Sequence, residues 1–177
     1  MKFKHLLCLL AITFFYFPVF GQDAPPCNTG KLVDPLLEQF VGNWIAKGVE
    51  KGDSVTYEVS VQWELNHQFL FCSFRTVGAT STDVAHAYIG YDCAGVRFVM
   101  HWMDIAGGNP SDVLGFGNLD SQQVFFKFEY PAGTTTTSFL YIPRQASWKF
   151  LSTTTNNEGK RVILRDLILR KKDQAKT

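Results

Sequence analysis

From Val55 to Leu65 apolar and polar side chains take strict turns. Val55, Tyr57, Val59, Val61, Trp63 and Leu65 alternate with Thr56, Glu58, Ser60, Gln62 and Glu64. A period of two puts one set on a dry face and the other on a wet face, which predicts a long half-buried strand. The same reading predicts strands over 43–50, 68–76, 83–91, 96–104, 112–119, 123–130, 134–142, 146–154 and 160–171, about ten in all. Every proline after Gln22 falls outside these runs, as strand interiors require. Tight links such as Asn66-His67 leave no room for crossover helices, so the arrangement expected is an antiparallel up-and-down meander. Closing it into a barrel would remove the exposed edges.

One helix precedes the strands. Asp34 is an N-cap and Pro35 takes the first helical position. Leu36, Leu37, Phe40 and Val41 recur at helical spacing, and Gly42 stops the run. Connections in a meander alternate between its two ends. The set at 51–53, 77–82, 105–111, 131–133 and 155–159 is longer and richer in glycine than the set at 66–67, 92–95, 120–122 and 143–144. The first end is therefore the expected open mouth. The helix enters from the other end and can plug the floor.

Composition adds a compartment. Lys2 and Lys4 open the chain, an apolar run follows from Leu6 to Phe20, and Val19-Phe20-Gly21 offers a cleavage signal. The run is shorter than the roughly 20 apolar residues a spanning helix needs. Residues 1–21 read as a signal peptide, 22–30 as a flexible leader, 31–172 as the barrel domain and 173–177 as a disordered tail. The expected location is outside the cytoplasm, periplasmic or secreted, with no stable membrane span once the signal is removed. Removing Lys2 and Lys4 from the 17 basic residues nearly balances the 16 acidic ones. A neutral chain is no match for nucleic acid, whose phosphates demand a basic face. Cys27, Cys72 and Cys93 remain after the signal, and Cys27 with Cys93 is the better disulfide pair because Cys72 lies in an apolar strand.

The candidate chemistry is sparse. Aromatics make up 15% of the chain, enough to wall a lumen. Trp44, Tyr57, Trp63, Phe71, Met100, Trp102, Phe126, Phe128 and Trp148 are the lumen candidates. Arg75 could receive an anionic head group at a strand end. A tight turn at Cys93-Ala94 would set His86 opposite His101, two imidazoles about 5 Å apart. They supply two nitrogen ligands where zinc asks for three or four, and the apolar set from Ala85 to Trp102 is the better interior face. Asp166 in the last strand reads as facing water or paired with a base. Thr134 to Thr137 read as a solvent-facing edge of high β-propensity. Gly115-Phe116-Gly117 reads as a close-packed or bent strand. The chain has no G-x-S-x-G, P-loop, G-x-G-x-x-G or H-E-x-x-H.

A larger pattern joins these pieces. Leu36-Leu37-x-x-Phe40-Val41-Gly42-x-Trp44 is followed by Trp63-Glu64-Leu65, Phe69-Leu70, Gly90-Tyr91-Asp92, Arg97-Phe98-Val99 and Trp102-x-Asp104. In order and spacing this set resembles a bacterial lipocalin-like domain family of unknown function. The resemblance implies a ten-stranded calycin-type barrel, a small-ligand role and no catalytic residues. In related calycins an arginine of the last strand covers the G-x-W tryptophan, so it implies Arg165 or Arg170 over Trp44. Haem-binding barrels of this shape use a histidine near the C-terminus, and this chain has none after His101.

The functional expectation is an exported barrel holding a small hydrophobic or aromatic ligand, with no cofactor or metal. The residues expected to contact it are Tyr57, Phe71, Arg75, His86, Met100, His101, Trp102, Phe126 and Phe128. Two alternatives stand beside it: an enzyme using His86 and His101 at the mouth, against which the missing motifs weigh, and a non-catalytic interaction module with a packed lumen.

Overall fold

The computed structural model describes residues 30–78, 81–108 and 112–174. The signal reading, the leader as far as residue 29, Cys27 and the last residues of the tail lie outside them. Alternation becomes ten strands: β1 (Gly42–Glu50), β2 (Asp53–Glu64), β3 (Phe69–Thr76), β4 (Asp83–Asp92), β5 (Arg97–Asp104), β6 (Leu114–Leu119), β7 (Gln123–Tyr130), β8 (Gly133–Ile142), β9 (Ser147–Asn156) and β10 (Arg161–Lys171). Each strand pairs antiparallel with the next in sequence, and β10 pairs back onto β1 to close the barrel. No sheet edge is left along this ring.

The helix α1 (Pro35–Phe40) forms where the caps place it. The Asp34 carboxylate accepts the backbone N–H groups of Leu36 at 2.8 Å and Leu37 at 3.1 Å, satisfying donors with no partner inside the helix. Its buried residues, Leu36, Leu37 and Phe40, point into the end of the barrel. Phe40 is the first ring of a continuous aromatic column. It lies 6.3 Å from Trp44, 4.6 Å from Trp148 and 5.1 Å from Phe139. Phe139 stacks on Phe150 at 4.6 Å, and Phe150 reaches Phe74 and Trp102 at 5.7 and 5.8 Å. The lower half of the lumen is thus a packed core of rings, with Val59, Val61, Leu70, Cys72, Ile89, Leu167 and Leu169 filling between them. Each ring pair adds about 0.5–1.5 kcal/mol beyond the area it buries.

β6 starts at Leu114 rather than at 112, and Leu65, expected on a dry face, is exposed in the turn after β2. Three further details differ from the sequence expectation. The cation over Trp44 is Lys171, with Nζ 4.1 Å from the ring, and not Arg165 or Arg170. Trp44 pairs directly with Lys171 across the closing seam, so residue 171 shares its face and its level. The lysine also donates to the Val41 carbonyl at 2.8 Å, tying the helix exit to the last strand. The second difference is β5, which starts at Arg97 because Val96, at φ 50°, completes the turn. The third is that β8 is no edge. Its threonines lie between β7 and β9, and Thr135 and Thr137 lie on the inner face. Cys93 is disulfide-bonded, while Cys72 is free and buried. Burial pushes the Cys72 thiol well above its usual range.

Two glycines of β6 make room rather than turns. An added Cβ at Gly115 would run into the Phe128 ring, and one at Gly117 into the Phe125 carbonyl. Gly117→Ala is expected to lower stability by about 1–3 kcal/mol through overpacking against backbone that cannot yield. Phe40→Ala should cost about 3–5 kcal/mol, because the plug loses its central ring. Urea denaturation of both variants checks this, with Phe125→Ala, an outward and 39% exposed ring, expected to stay near wild type.

Candidate functional site

Above the aromatic column the lumen is open. A cavity of about 830 Å³ lies among Trp102, Phe128, Tyr130, Phe150, Thr137 and Ser152, and its rim carries Lys51, Ala106, Asp112 and Pro131 to Gly133. A smaller extension of about 160 Å³ continues beside Tyr57, Phe74, Ala85 and Leu167. Both lie at the end with the long connections. The main volume falls within the 300–1,000 Å³ of ordinary small-molecule sites.

Strand parity decides what faces this space. Residues 98, 100, 102 and 104 of β5 share the inner face, so Met100 packs in the core and Trp102 stands at the floor of the cavity. Residues 126, 128 and 130 of β7 do the same. Phe126 is buried below, while Phe128 and Tyr130 line the wall. In β10 the pairing with β9 shifts between Ile163 and Arg165, leaving Leu164 as an extra residue. A bulge re-aims side chains, and here both Leu164 and Arg165 border the cavity.

Arg165 organises the mouth. Its Nη2 lies 2.8 Å from Glu50 Oε1 and 3.6 Å from Asp104 Oδ2, with all three side chains only 16–17% exposed. Its guanidinium carbon lies 4.8 Å from the Trp102 ring centroid. Trp102 Nε1 donates to Asp104 Oδ2 at 3.1 Å, and the Tyr57 hydroxyl donates to Glu50 Oε2 at 2.7 Å. The backbone N–H of Ala106 donates to Asp104 Oδ1 at 2.9 Å, which ties the start of the β5–β6 connection to the same network. Charge-assisted bonds of this kind hold side chains in one geometry. Burial, then the Glu50 bond and charge, push the Tyr57 hydroxyl up to about 12, with Arg165 pulling the other way. Burial, then the charges of Asp112 and Asp104, also raise Tyr130.

The nine expected contact residues separate by face. Tyr57 and Trp102 border the cavity, as does Phe128. Met100 and Phe126 are fully buried beneath it. Phe71, Arg75, His86 and His101 lie on the outer wall. Phe71 packs against Tyr88 at 4.8 Å and His86 at 5.1 Å, and Arg75 pairs with Asp83 at 3.0 Å. His86 pairs with Met103 and His101 with Tyr88, so the two imidazoles do not face each other. The turn spans Cys93 to Val96 rather than centring on Cys93-Ala94, and the register follows it. Asp166 also lies outside, paired with Lys149 at 3.2 Å. Trp63 donates to Glu38 at 2.9 Å and stacks on His67 at the closed end. Among the described residues no group of three or more His, Cys, Asp or Glu is arranged to hold a metal ion.

Sequence reasoning missed Glu50 and Arg165 as a mouth pair, and Thr135, Thr137, Ser152 and Thr154 as a wall. Their signal was weak: charged residues near strand ends, and a threonine run with no apolar face to mark its inside.

A closed ten-stranded antiparallel barrel with this filling is consistent with a calycin-like fold. No protein-family model matches the chain, and no curated protein matches it in sequence.

The raised Tyr57 hydroxyl has a stability consequence. The fold favours its neutral form, so its contribution is complete below the ordinary value of about 10 and is lost as pH rises through about 12. Tyr57→Phe should therefore lose less stability than wild type between those two pH values. Urea denaturation across that range tests it, and equal losses would refute it.

Proposed function

We propose that this chain is an exported, lipocalin-like barrel that binds a small apolar or aromatic ligand in its upper lumen. One observation carries the reading: a cavity of about 830 Å³ sits at the mouth, above a floor of rings, while the other end is plugged. A barrel needing only a stable core has no use for such a void, since unfilled space forfeits packing. The driving force is burial of the ligand's apolar surface, roughly 25 cal/mol per Å² before the costs of association.

Export has its own support. The apolar run from Leu6 to Phe20 has signal-peptide character. The disulfide at Cys93 suits an oxidising compartment. The histidine-based enzyme reading loses its basis, because both imidazoles lie on the outer wall, away from the cavity, and are not directly opposite in the β4–β5 register.

The test uses N-phenyl-1-naphthylamine, a neutral dye that brightens in apolar surroundings. The purified chain should bind it, and Trp102→Ala should weaken binding about tenfold by removing a ring from the floor. The outward Phe125→Ala should leave it unchanged. A folded protein that leaves the dye dark overturns the reading.

A further inference from the structure

The cavity wall carries polar groups that an all-apolar ligand would not use. On β8 and β9, Thr135 pairs with Thr154 and Thr137 with Ser152, and all four line the cavity. Thr137 and Ser152 are buried, with their hydroxyl oxygens 3.2 Å apart. That single bond uses one of two O–H donors and one of four lone pairs. The Thr154 hydroxyl donates to the Thr134 carbonyl at 3.4 Å and keeps its own lone pairs. A hydrocarbon chain lying here would strip water from this ladder and return nothing. A ligand edge with hydroxyl or carbonyl groups would replace the water bonds.

Beside the ladder stand Trp102, Phe128 and Phe150, flat surfaces suited to a flat partner. The charges at the mouth point the same way. Three carboxylates, Glu50, Asp104 and Asp112, line the space against two bases, Lys51 and Arg165. Arg165 is already held by Glu50 at 2.8 Å and flanked by Asp104. An anionic head group would have to break that pair and then sit among the remaining carboxylates, which is unfavourable in a partly desolvated site. The open mouth is thus a poor receptor for fatty acids, despite its apolar floor.

We propose that the upper lumen selects a planar, uncharged ligand with hydroxyl or carbonyl groups along one edge, its face on the aromatic floor and its edge on the Thr137–Ser152 ladder. This rests on the ligand-binding reading and names the class of ligand.

Isothermal titration calorimetry at pH 6 with apigenin, a planar trihydroxylated flavone, and with laurate tests it, alongside the dye. Apigenin should bind at least about tenfold tighter than laurate. The double variant T137V/S152A, which keeps the volume nearly constant, should weaken apigenin about tenfold and leave N-phenyl-1-naphthylamine within about twofold. Laurate binding as well as apigenin, while the dye still binds, overturns this inference and leaves the cavity reading intact. A folded double variant with unchanged apigenin affinity overturns it too. Failure of dye, flavone and laurate together overturns both. The wild-type comparison needs no variant, so it decides the ligand class even if T137V/S152A fails to fold.

Discussion

The seam between β1 and β10 is the constraint on which the rest of the molecule depends. It runs from Trp44 opposite Lys171 at the floor to Glu50 opposite Arg165 at the mouth. A one-residue slip would turn every inward side chain of β10 outward. Both ends carry a cation that such a slip would misplace. Lys171 covers Trp44 and bonds Val41, while Arg165 bonds Glu50. Between them Leu167 and Leu169 are completely buried, so the register is specified by packing as well as by charge. The two half-buried pairs need not add much net stability, because desolvation offsets much of their attraction. Their effect is to make one closure better than its neighbours.

Closure then forces a division of the lumen. A ten-stranded ring is wider than the eight-stranded barrel that side chains alone just fill. This chain fills the lower half with rings contributed by α1, β1, β3, β8 and β9, and covers the end with a helix of only six residues. The inner positions nearer the mouth are smaller or more polar: Ala85, Gly115, Thr135, Thr137, Ser152 and Thr154. The change in side-chain size and polarity along the same strands, and not a separate loop or domain, creates the cavity.

Much of the architecture was legible because alternation is a strong signal when one face is apolar. β2, β4, β5 and β7 show it, and their inward residues were readable from the period alone. The signal fails where both faces have the same chemistry. Thr134 to Thr137 gave no inside, and the ladder on β8 stayed hidden until its neighbours were known. It fails again where a bulge or the position of a turn sets the pairing. Leu164 shifts the β10 pairing, and Val96 adopts a positive φ that a β-branched residue rarely takes, moving the β4–β5 register by a step alternation cannot detect. His86 and His101 were on the outer face that the apolar alternation favoured, but their pairing depended on that turn. Phe71 failed for a further reason: an aromatic side chain can pack on the outer wall against Tyr88 without entering the lumen.

The position of the mouth network bears on how selective such a site can be. Trp102, Phe128, Thr137, Ser152, Phe150 and Arg165 all project from strands whose backbones are paired on both sides. Groups mounted this way lose little freedom when a ligand arrives, which favours affinity and sharpens discrimination. Asp104 extends that order outward, because its carboxylate holds Trp102 at the cavity floor and the Ala106 amide at the start of the β5–β6 connection. Arg165 therefore works best as a brace. Held by Glu50 and stacked near Trp102, it fixes the aromatic floor at the angle a flat ligand meets, and the same contacts that hold it there keep its charge from recruiting an acid.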